Sequence, residues 1–138
     1  MNVVLDTNVI ISGLLFSGSP GVLVEAIQTG KLAGYTSEAL LRELTRILKD
    51  KFSIKPDQVK ETERLIRTAC IVVTPKTIPD ILHDKADNQV LAIIHEALID
   101  MIISGDRESV ALKVYRGVLI MKPDEFLADM KLQPESDF

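Results

Sequence analysis

Acidic residues stand in this sequence where short apolar runs end. Asp6 follows the apolar run at residues 3–5, and Asp106 comes shortly after the run at residues 101–103. Runs of this length are typical of buried strands in a parallel sheet, whose carboxyl ends meet at the edge where ligands bind. We therefore expect Asp6 and Asp106 to open onto one crevice, in which carboxylates can bind a divalent cation.

Three further acids are expected near the same edge. Asp84 and Asp87 stand at the start of an amphipathic helix, and Glu43 flanks the apolar stripe of an earlier helix, away from the basic face that carries Arg46. Structural explanations stay open: the aspartates are well placed to cap helices, and Glu43 can be a boundary residue that reaches water. Those explanations do not account for the convergence of so many acids on one edge.

Clustered carboxylates repel one another unless a cation neutralises them. Mg²⁺ and Mn²⁺ are the expected ions because they prefer carboxylate and water oxygens. The only histidines, His83 and His95, lack a cysteine or second histidine at ligand spacing, so a zinc site is disfavoured. The sequence also lacks a glycine-rich phosphate loop.

The composition predicts one globular domain in a reducing compartment. The chain has 138 residues, 46% of them hydrophobic, and a single cysteine, Cys70, which cannot form an intrachain disulfide. The net charge of −4 is unlike that of non-specific nucleic-acid binders, so a polyanion would need a local basic strip or metal ions. No segment has the pattern of a signal peptide or membrane span, which predicts a cytoplasmic protein that does not bind membranes.

The alternation of short apolar runs with helical patterns predicts a three-layer α/β/α sandwich around a mostly parallel twisted sheet. We place one domain at residues 1–132 and a polar C-terminal tail at 133–138. Thr7 or Asn8 is expected to cap the first helix, and residues 71–74 to form a buried strand. The helix after Asp87 is expected to bury Leu98, and another helix to cover residues 107–114.

Four motifs in this order resemble those of the PIN-domain family, the fold of VapC-type toxin ribonucleases. The resemblance spans nearly the whole chain, and each motif alone is a weak pattern. The motifs are Val4-Leu5-Asp6-Thr7-Asn8, Glu43 on a helix, Asp84-Lys85-Ala86-Asp87-Asn88 before a helix, and Ile103-Ser104-Gly105-Asp106 after a strand.

The resemblance implies a metal-dependent endoribonuclease, with RNA as substrate and Mg²⁺ or Mn²⁺ as cofactor. It assigns the catalytic and metal-binding acids to Asp6, Glu43, Asp87 and Asp106. Asp84 is an auxiliary acid, and Asn8 and Ser104 are expected to orient the carboxylates by hydrogen bonds; the family's usual residue at Ser104 is threonine. The resemblance further implies a homodimer and an antitoxin protein as partner.

Four basic residues are candidate contacts to RNA phosphates, with ordinary solvated surface charge as the alternative: Arg107, Lys85, Arg42 and Arg46. Two other functions remain open. A receiver-like Mg²⁺-binding signalling domain agrees with Lys122-Pro123 after the last strand, but the first strand ends in one acid rather than an adjacent acidic pair. A non-catalytic PIN-fold binding protein is the other alternative, against which the presence of all four acids argues.

Overall fold

The computed structural model describes residues 1–130, so the proposed domain end at 132 and the tail at 133–138 lie outside the described residues. The strands are β1 (Asn2–Leu5), β2 (Ala33–Ser37), β3 (Cys70–Val73), β4 (Met101–Ile103), β5 (Val114–Tyr115) and β6 (Val118–Met121). The helices are α1 (Thr7–Leu15), α2 (Ser19–Gln28), α3 (Glu38–Asp50), α4 (Pro56–Ala69), α5 (Lys85–Ala92), α6 (Arg107–Leu112) and α7 (Pro123–Met130). A 3-10 turn, Ile93–His95, follows α5.

The strands form one six-stranded sheet in the order β3-β2-β1-β4-β6-β5. Every neighbouring pair is parallel except β5 and β6, which pair in antiparallel fashion. The carboxyl ends of β1 and β4 are adjacent, since Leu5 pairs with Ile103. The residues that follow these two strands therefore start from the same edge of the sheet.

Each face of the sheet carries its own apolar cluster, because successive side chains of a strand point to opposite faces. Val3 and Leu5 pack with residues of α1, α2, α3, α4 and α7 on one face. Val4 packs with Leu40 of α3 and with residues of α5 and β6 on the other face. The predicted three-layer α/β/α sandwich around a mostly parallel sheet is thus confirmed.

Three local predictions were wrong. The strand predicted at 71–74 is an edge strand, β3, that pairs only with β2 and leaves Ile71 half exposed. The helix after Asp87 ends at Ala92, and Leu98 is 89% exposed, because the chain there turns back to place β4 beside β1. The helix predicted at 107–114 ends at Leu112, and the hairpin strand β5 follows it.

Within residues 1–130, no single helix has the length and apolar character needed to cross a membrane. Helices α1 and α2 satisfy the criteria of length and composition only as a pair, which is bent by 95°.

The close crossing of α1 and α2 depends on Gly13. A Cβ atom at this position would lie 2.5 Å from Val24 Cγ2 and 2.6 Å from the carbonyl oxygen of Pro20. We expect Gly13→Ala to lower the free energy of unfolding by about 1–3 kcal/mol, because the backbone of α2 would have to shift. Urea denaturation measures this change.

Gly21, in the same pair of helices, provides the matched control. A Cβ atom there would come no closer than 3.8 Å to another atom. Gly21→Ala should therefore stabilise the protein by about 0.5–1 kcal/mol through helix propensity alone. Equal losses in the two variants would contradict the role given to Gly13.

Candidate active site

A cavity of about 50 Å³ opens at the carboxyl edge of the sheet. Five acidic side chains line this acidic cavity, together with Asn8: Asp6, Glu43, Asp84, Asp87 and Asp106. They come from the ends of β1 and β4, from α3 and from the start of α5. The structure thus brings together all five acids singled out in the sequence.

Three of these aspartates cap helices and also line the acidic cavity. Their role as helix caps is therefore compatible with a role in the site. Asp6 Oδ1 accepts a hydrogen bond from the backbone N–H of Val9 at 3.0 Å and caps α1. Asp84 caps α5 and Asp106 caps α6 in the same way. The prediction that Thr7 or Asn8 caps α1 was wrong, because α1 already begins at Thr7 and Asp6 is its N-cap.

Ser104 links the Asp6 carboxylate to the backbone of Asp106. Its buried hydroxyl donates a hydrogen bond to Asp6 Oδ2, and Ser104 Oγ accepts one from the backbone N–H of Asp106 at 3.0 Å. Ser104 therefore fixes the position of Asp6 relative to the turn that presents Asp106. The Asn8 side chain is exposed and, within residues 1–130, makes no hydrogen bond to a carboxylate.

Sequence reasoning gave no role to Asn88, which holds the loop before α5. Its side chain is 4% exposed, and Oδ1 accepts hydrogen bonds from the N–H groups of Ile81 and Leu82 at 3.2 and 3.0 Å. Its Nδ2 donates to the carbonyl of Leu82 at 2.7 Å. The available signal was an amide one turn from Leu91 on the apolar side of α5, where a buried polar group needs partners.

Burial dominates the electrostatics of Asp6. Desolvation raises the pKa of this carboxyl above its ordinary value, although hydrogen bonds from Ser104 and from backbone N–H groups oppose the shift. The charge of Asp106 adds to the increase in the pKa. Asp6 is therefore a carboxylate whose ionised form gains from a nearby positive charge.

Asp87 and Asp106 act as a pair. Desolvation, a hydrogen bond to Asp106 and the negative charges of its acidic neighbours raise the pKa of Asp87 to about 8. Asp106 is also desolvated, but hydrogen bonds from Ser109, Asp87 and Glu108 outweigh that effect and lower its pKa. Near neutral pH, Asp87 therefore holds a proton that it donates to the Asp106 carboxylate.

Glu43 forms an ion pair with Arg46, which corrects the prediction that Glu43 lies away from the basic face of α3. Arg46 Nη2 donates to Glu43 Oε1 at 2.6 Å and Nε donates to Oε2 at 3.2 Å. The two residues are three positions apart on α3, so their side chains meet on the helix surface. Of the other candidate phosphate contacts, Arg42 and Lys85 are exposed and do not line the acidic cavity, whereas Arg107 lines a neighbouring groove.

The chemistry of this donor set fits a hard divalent cation, because the titratable side chains that line the cavity are all carboxylates. A water molecule needs about 10–15 Å³, so the cavity has room for more than one oxygen ligand besides the carboxylates. As they stand, no three acidic, histidine or cysteine side chains among residues 1–130 are arranged to hold one ion. The ion pair of Glu43 and the hydrogen bond between Asp87 and Asp106 occupy the groups that would have to turn towards it.

The domain is a mostly parallel α/β sandwich with acidic side chains at the carboxyl edge of its sheet. Comparison with known proteins identifies the family to which it belongs. A family model described as PIN domain matches residues 2–108, and the chain belongs to this family. PIN domains are generally nucleases and typically use divalent metal ions, which supports a nuclease-like function here.

The chain is also similar to a protein of Methanocaldococcus jannaschii, named uncharacterized protein MJ1680. The two are 27% identical over 118 residues, which cover 82% of this chain and 76% of that relative. The name of this relative states no activity, so the likeness adds no information about the substrate.

Proposed function

We propose that this protein is a metal-dependent endoribonuclease that hydrolyses phosphodiester bonds in RNA. The observation that carries the proposal is the gathering of Asp6, Glu43, Asp87 and Asp106 around one small cavity at the sheet edge. Membership of the PIN-domain family supports a nuclease in general terms. The choice of RNA rests on the resemblance of the motifs to those of VapC-type ribonucleases.

The residues that would hold Mg²⁺ or Mn²⁺ are Asp6, Glu43, Asp87 and Asp106, with Asp84 as an auxiliary acid. The bound cation would supply Lewis-acid activation of a water and of the scissile phosphate. Ser104 would hold Asp6 and the turn that carries Asp106 in fixed relative positions, because its hydroxyl forms hydrogen bonds with both. The pKa of Asp87 is raised to about 8 in the metal-free protein, so this carboxyl would release its proton when it binds the cation.

A cleavage assay with the unaltered protein tests this proposal. Single-stranded RNA, hairpin RNA and single-stranded DNA of the same sequence are incubated with Mg²⁺, with Mn²⁺ or with EDTA. We expect internal cleavage of RNA with either metal, little cleavage of DNA, and none in EDTA. Activity that persists in EDTA, or intact RNA under every metal condition, would overturn the proposal.

We further propose that the nuclease is the toxin of a toxin–antitoxin pair, acting in the cytoplasm as a homodimer. The support is the likeness of its motifs to those of the VapC-type toxins. Induced expression should arrest growth, and the variant Asp106→Asn should not. Equal growth arrest by both proteins, or none by either, would contradict the toxin role.

Arg46 should lower the affinity of the site for a cation, because it holds Glu43 and adds a positive charge beside the cavity. We expect Arg46→Gln to bind Mn²⁺ about three- to tenfold more tightly than the unaltered protein. The shift of the melting temperature with Mn²⁺ concentration measures this affinity, since an ion that binds only the folded state stabilises it.

Arg64→Gln is the matched control for this measurement. Arg64 forms a pair of the same kind with Glu61, three positions apart on α4 and also at 2.6 Å. Neither residue lines the acidic cavity, so this variant should leave Mn²⁺ affinity unchanged. Equal affinities for Arg46→Gln and Arg64→Gln would show that Arg46 does not compete with the cation.

A further inference from the structure

A second cavity lies against the acidic one and shares part of its wall. This side groove has a volume of about 380 Å³, within the range of about 300–1,000 Å³ for clefts that bind small molecules. Asn8 and Asp106 line both cavities, so the two adjoin at these residues. The residues that the groove adds and that matter here are Ser12, Pro20, Arg107 and Pro123.

The lining of the side groove combines one cation, Arg107, and one carboxylate, that of Asp106, with apolar and neutral polar groups. Arg107 is its one cation, is exposed, and has no ion pair within residues 1–130. Pro20 and Pro123 supply apolar surface, and the Ser12 hydroxyl and Asn8 amide supply hydrogen-bonding groups. A positive charge, apolar surface and polar groups together suit one phosphate, one base and one ribose.

Another cavity, beside α4, has a similar volume but lacks this combination of groups. It has about 410 Å³ and also contains an arginine, Arg64. That arginine is paired with Glu61, which lines the same cavity, so little positive charge is left for a polyanion. It also shares no lining residue with the acidic cavity.

We propose that the side groove binds the nucleotide of single-stranded RNA next to the scissile phosphate. Arg107 would contact the backbone phosphate beyond that nucleotide, and the surface between Pro20 and Pro123 would receive its base. The proposal rests on the proposed ribonuclease function and adds the path of the RNA chain away from the acidic cavity, together with the residues that would select the adjacent nucleotide.

Two substitutions in the side groove test the proposed path of the RNA. One removes a positive charge, and the other fills the space. Fluorescence anisotropy measures the binding of a labelled random-sequence 12-nucleotide RNA, in Mg²⁺, to Asp87→Asn as the cleavage-impaired parent. Adding Arg107→Gln should weaken binding and reduce the slope of log affinity against log salt by about 0.7, the value for one contact to a single strand. Adding Ser12→Tyr fills the groove without changing charge, and should weaken binding by about five- to fiftyfold at an unchanged salt slope.

Arg64→Gln and Thr68→Tyr make the same two changes in the cavity beside α4 and should leave RNA affinity unaltered. Melting temperatures verify that every variant folds. If the parent binds RNA and the groove variants bind as tightly as the controls, the groove proposal is wrong and the nuclease proposal is untouched. Weaker binding in the groove variants, when the unaltered protein cleaves no RNA, would support RNA binding in the groove but overturn the nuclease proposal, and with it the position of the groove next to a scissile phosphate. A parent that binds no RNA would overturn the groove proposal, and cleavage by the unaltered protein would then decide the nuclease proposal separately.

Discussion

Asp106→Asn should abolish RNA cleavage while the protein stays folded. Removing one carboxylate from a divalent-cation site costs several kcal/mol of transition-state stabilisation, which corresponds to a loss of about 10²–10⁴-fold in kcat. The fold should survive because asparagine is as good a helix cap as aspartate. The side-chain oxygen of the new residue can still accept the hydrogen bond that Asp106 Oδ2 accepts from the N–H of Ser109 at 3.0 Å.

The control for this variant is Asp124→Asn, which changes an aspartate in the first turn of another helix. Asp124 is exposed, lies in α7, and does not line the acidic cavity. It should cleave RNA at the rate of the unaltered protein. Single-turnover cleavage rates in Mg²⁺ and in Mn²⁺, with melting temperatures for both variants, make the comparison. If Asp106→Asn kept its rate, Asp106 would have no part in catalysis.

In EDTA, the free energy of unfolding should fall as the pH rises from about 4 to about 8. The pKa of Asp87 is raised in the folded protein from 3.8 to about 8, so across this interval the folded state holds a proton that the unfolded chain has released. Stability decreases with pH wherever the folded state binds more protons than the unfolded state. Asp6 has a raised pKa as well and acts in the same direction.

Asp87→Asn should remove most of this pH dependence. Its amide can donate to the Asp106 carboxylate at any pH, as the protonated Asp87 carboxyl does near neutrality. Because Asp87 is only half-buried, solvent screening reduces the effect, and we expect the variant to be about 1–2 kcal/mol more stable than the unaltered protein at pH 8.5. At pH 4 the two stabilities should be nearly equal.

Urea denaturation in EDTA at a series of pH values measures both curves. Asp129→Asn, which changes an exposed aspartate of α7, is the control and should follow the pH dependence of the unaltered protein. Parallel curves for Asp87→Asn and the unaltered protein would show that Asp87 does not hold the shared proton. Adding Mn²⁺ at pH 8.5 should stabilise the unaltered protein more than Asp87→Asn, since the variant lacks one ligand.

The sequence was sufficient to predict the sheet architecture and the acids around the cavity. Apolar runs that end in Asp6 and Ser104 define buried strands, and parallel pairing places the residues that follow them at one edge. The caps of α5 and α6 came from the same kind of local signal, because an aspartate directly before a helical pattern is a favourable N-cap. These features depend on interactions within a few residues or on simple strand geometry.

What the sequence could not predict depends on side-chain conformation and on where the chain has to turn. Glu43 and Arg46 lie on neighbouring parts of the helix surface, and only the actual rotamers show that they meet. Leu98 continues the apolar pattern of α5, but pairing of β4 with β1 requires a turn before that residue is reached. The role of Asn88 depends on a loop with no regular structure, whose N–H groups need partners from elsewhere.

The hydrogen bonds of the capping aspartates restrict how these side chains can move within the site. In Asp6, one carboxylate oxygen is held by the N–H of Val9 and the other by the hydroxyl of Ser104, so the side chain cannot swing to suit a differently placed ion. Side-chain length is therefore as restricted as charge: a glutamate, one methylene longer, cannot keep both the start of α1 and the same oxygen positions. Asp6 both caps the first turn of α1 and places a carboxylate in the acidic cavity. A substitution at this position therefore has to preserve both roles.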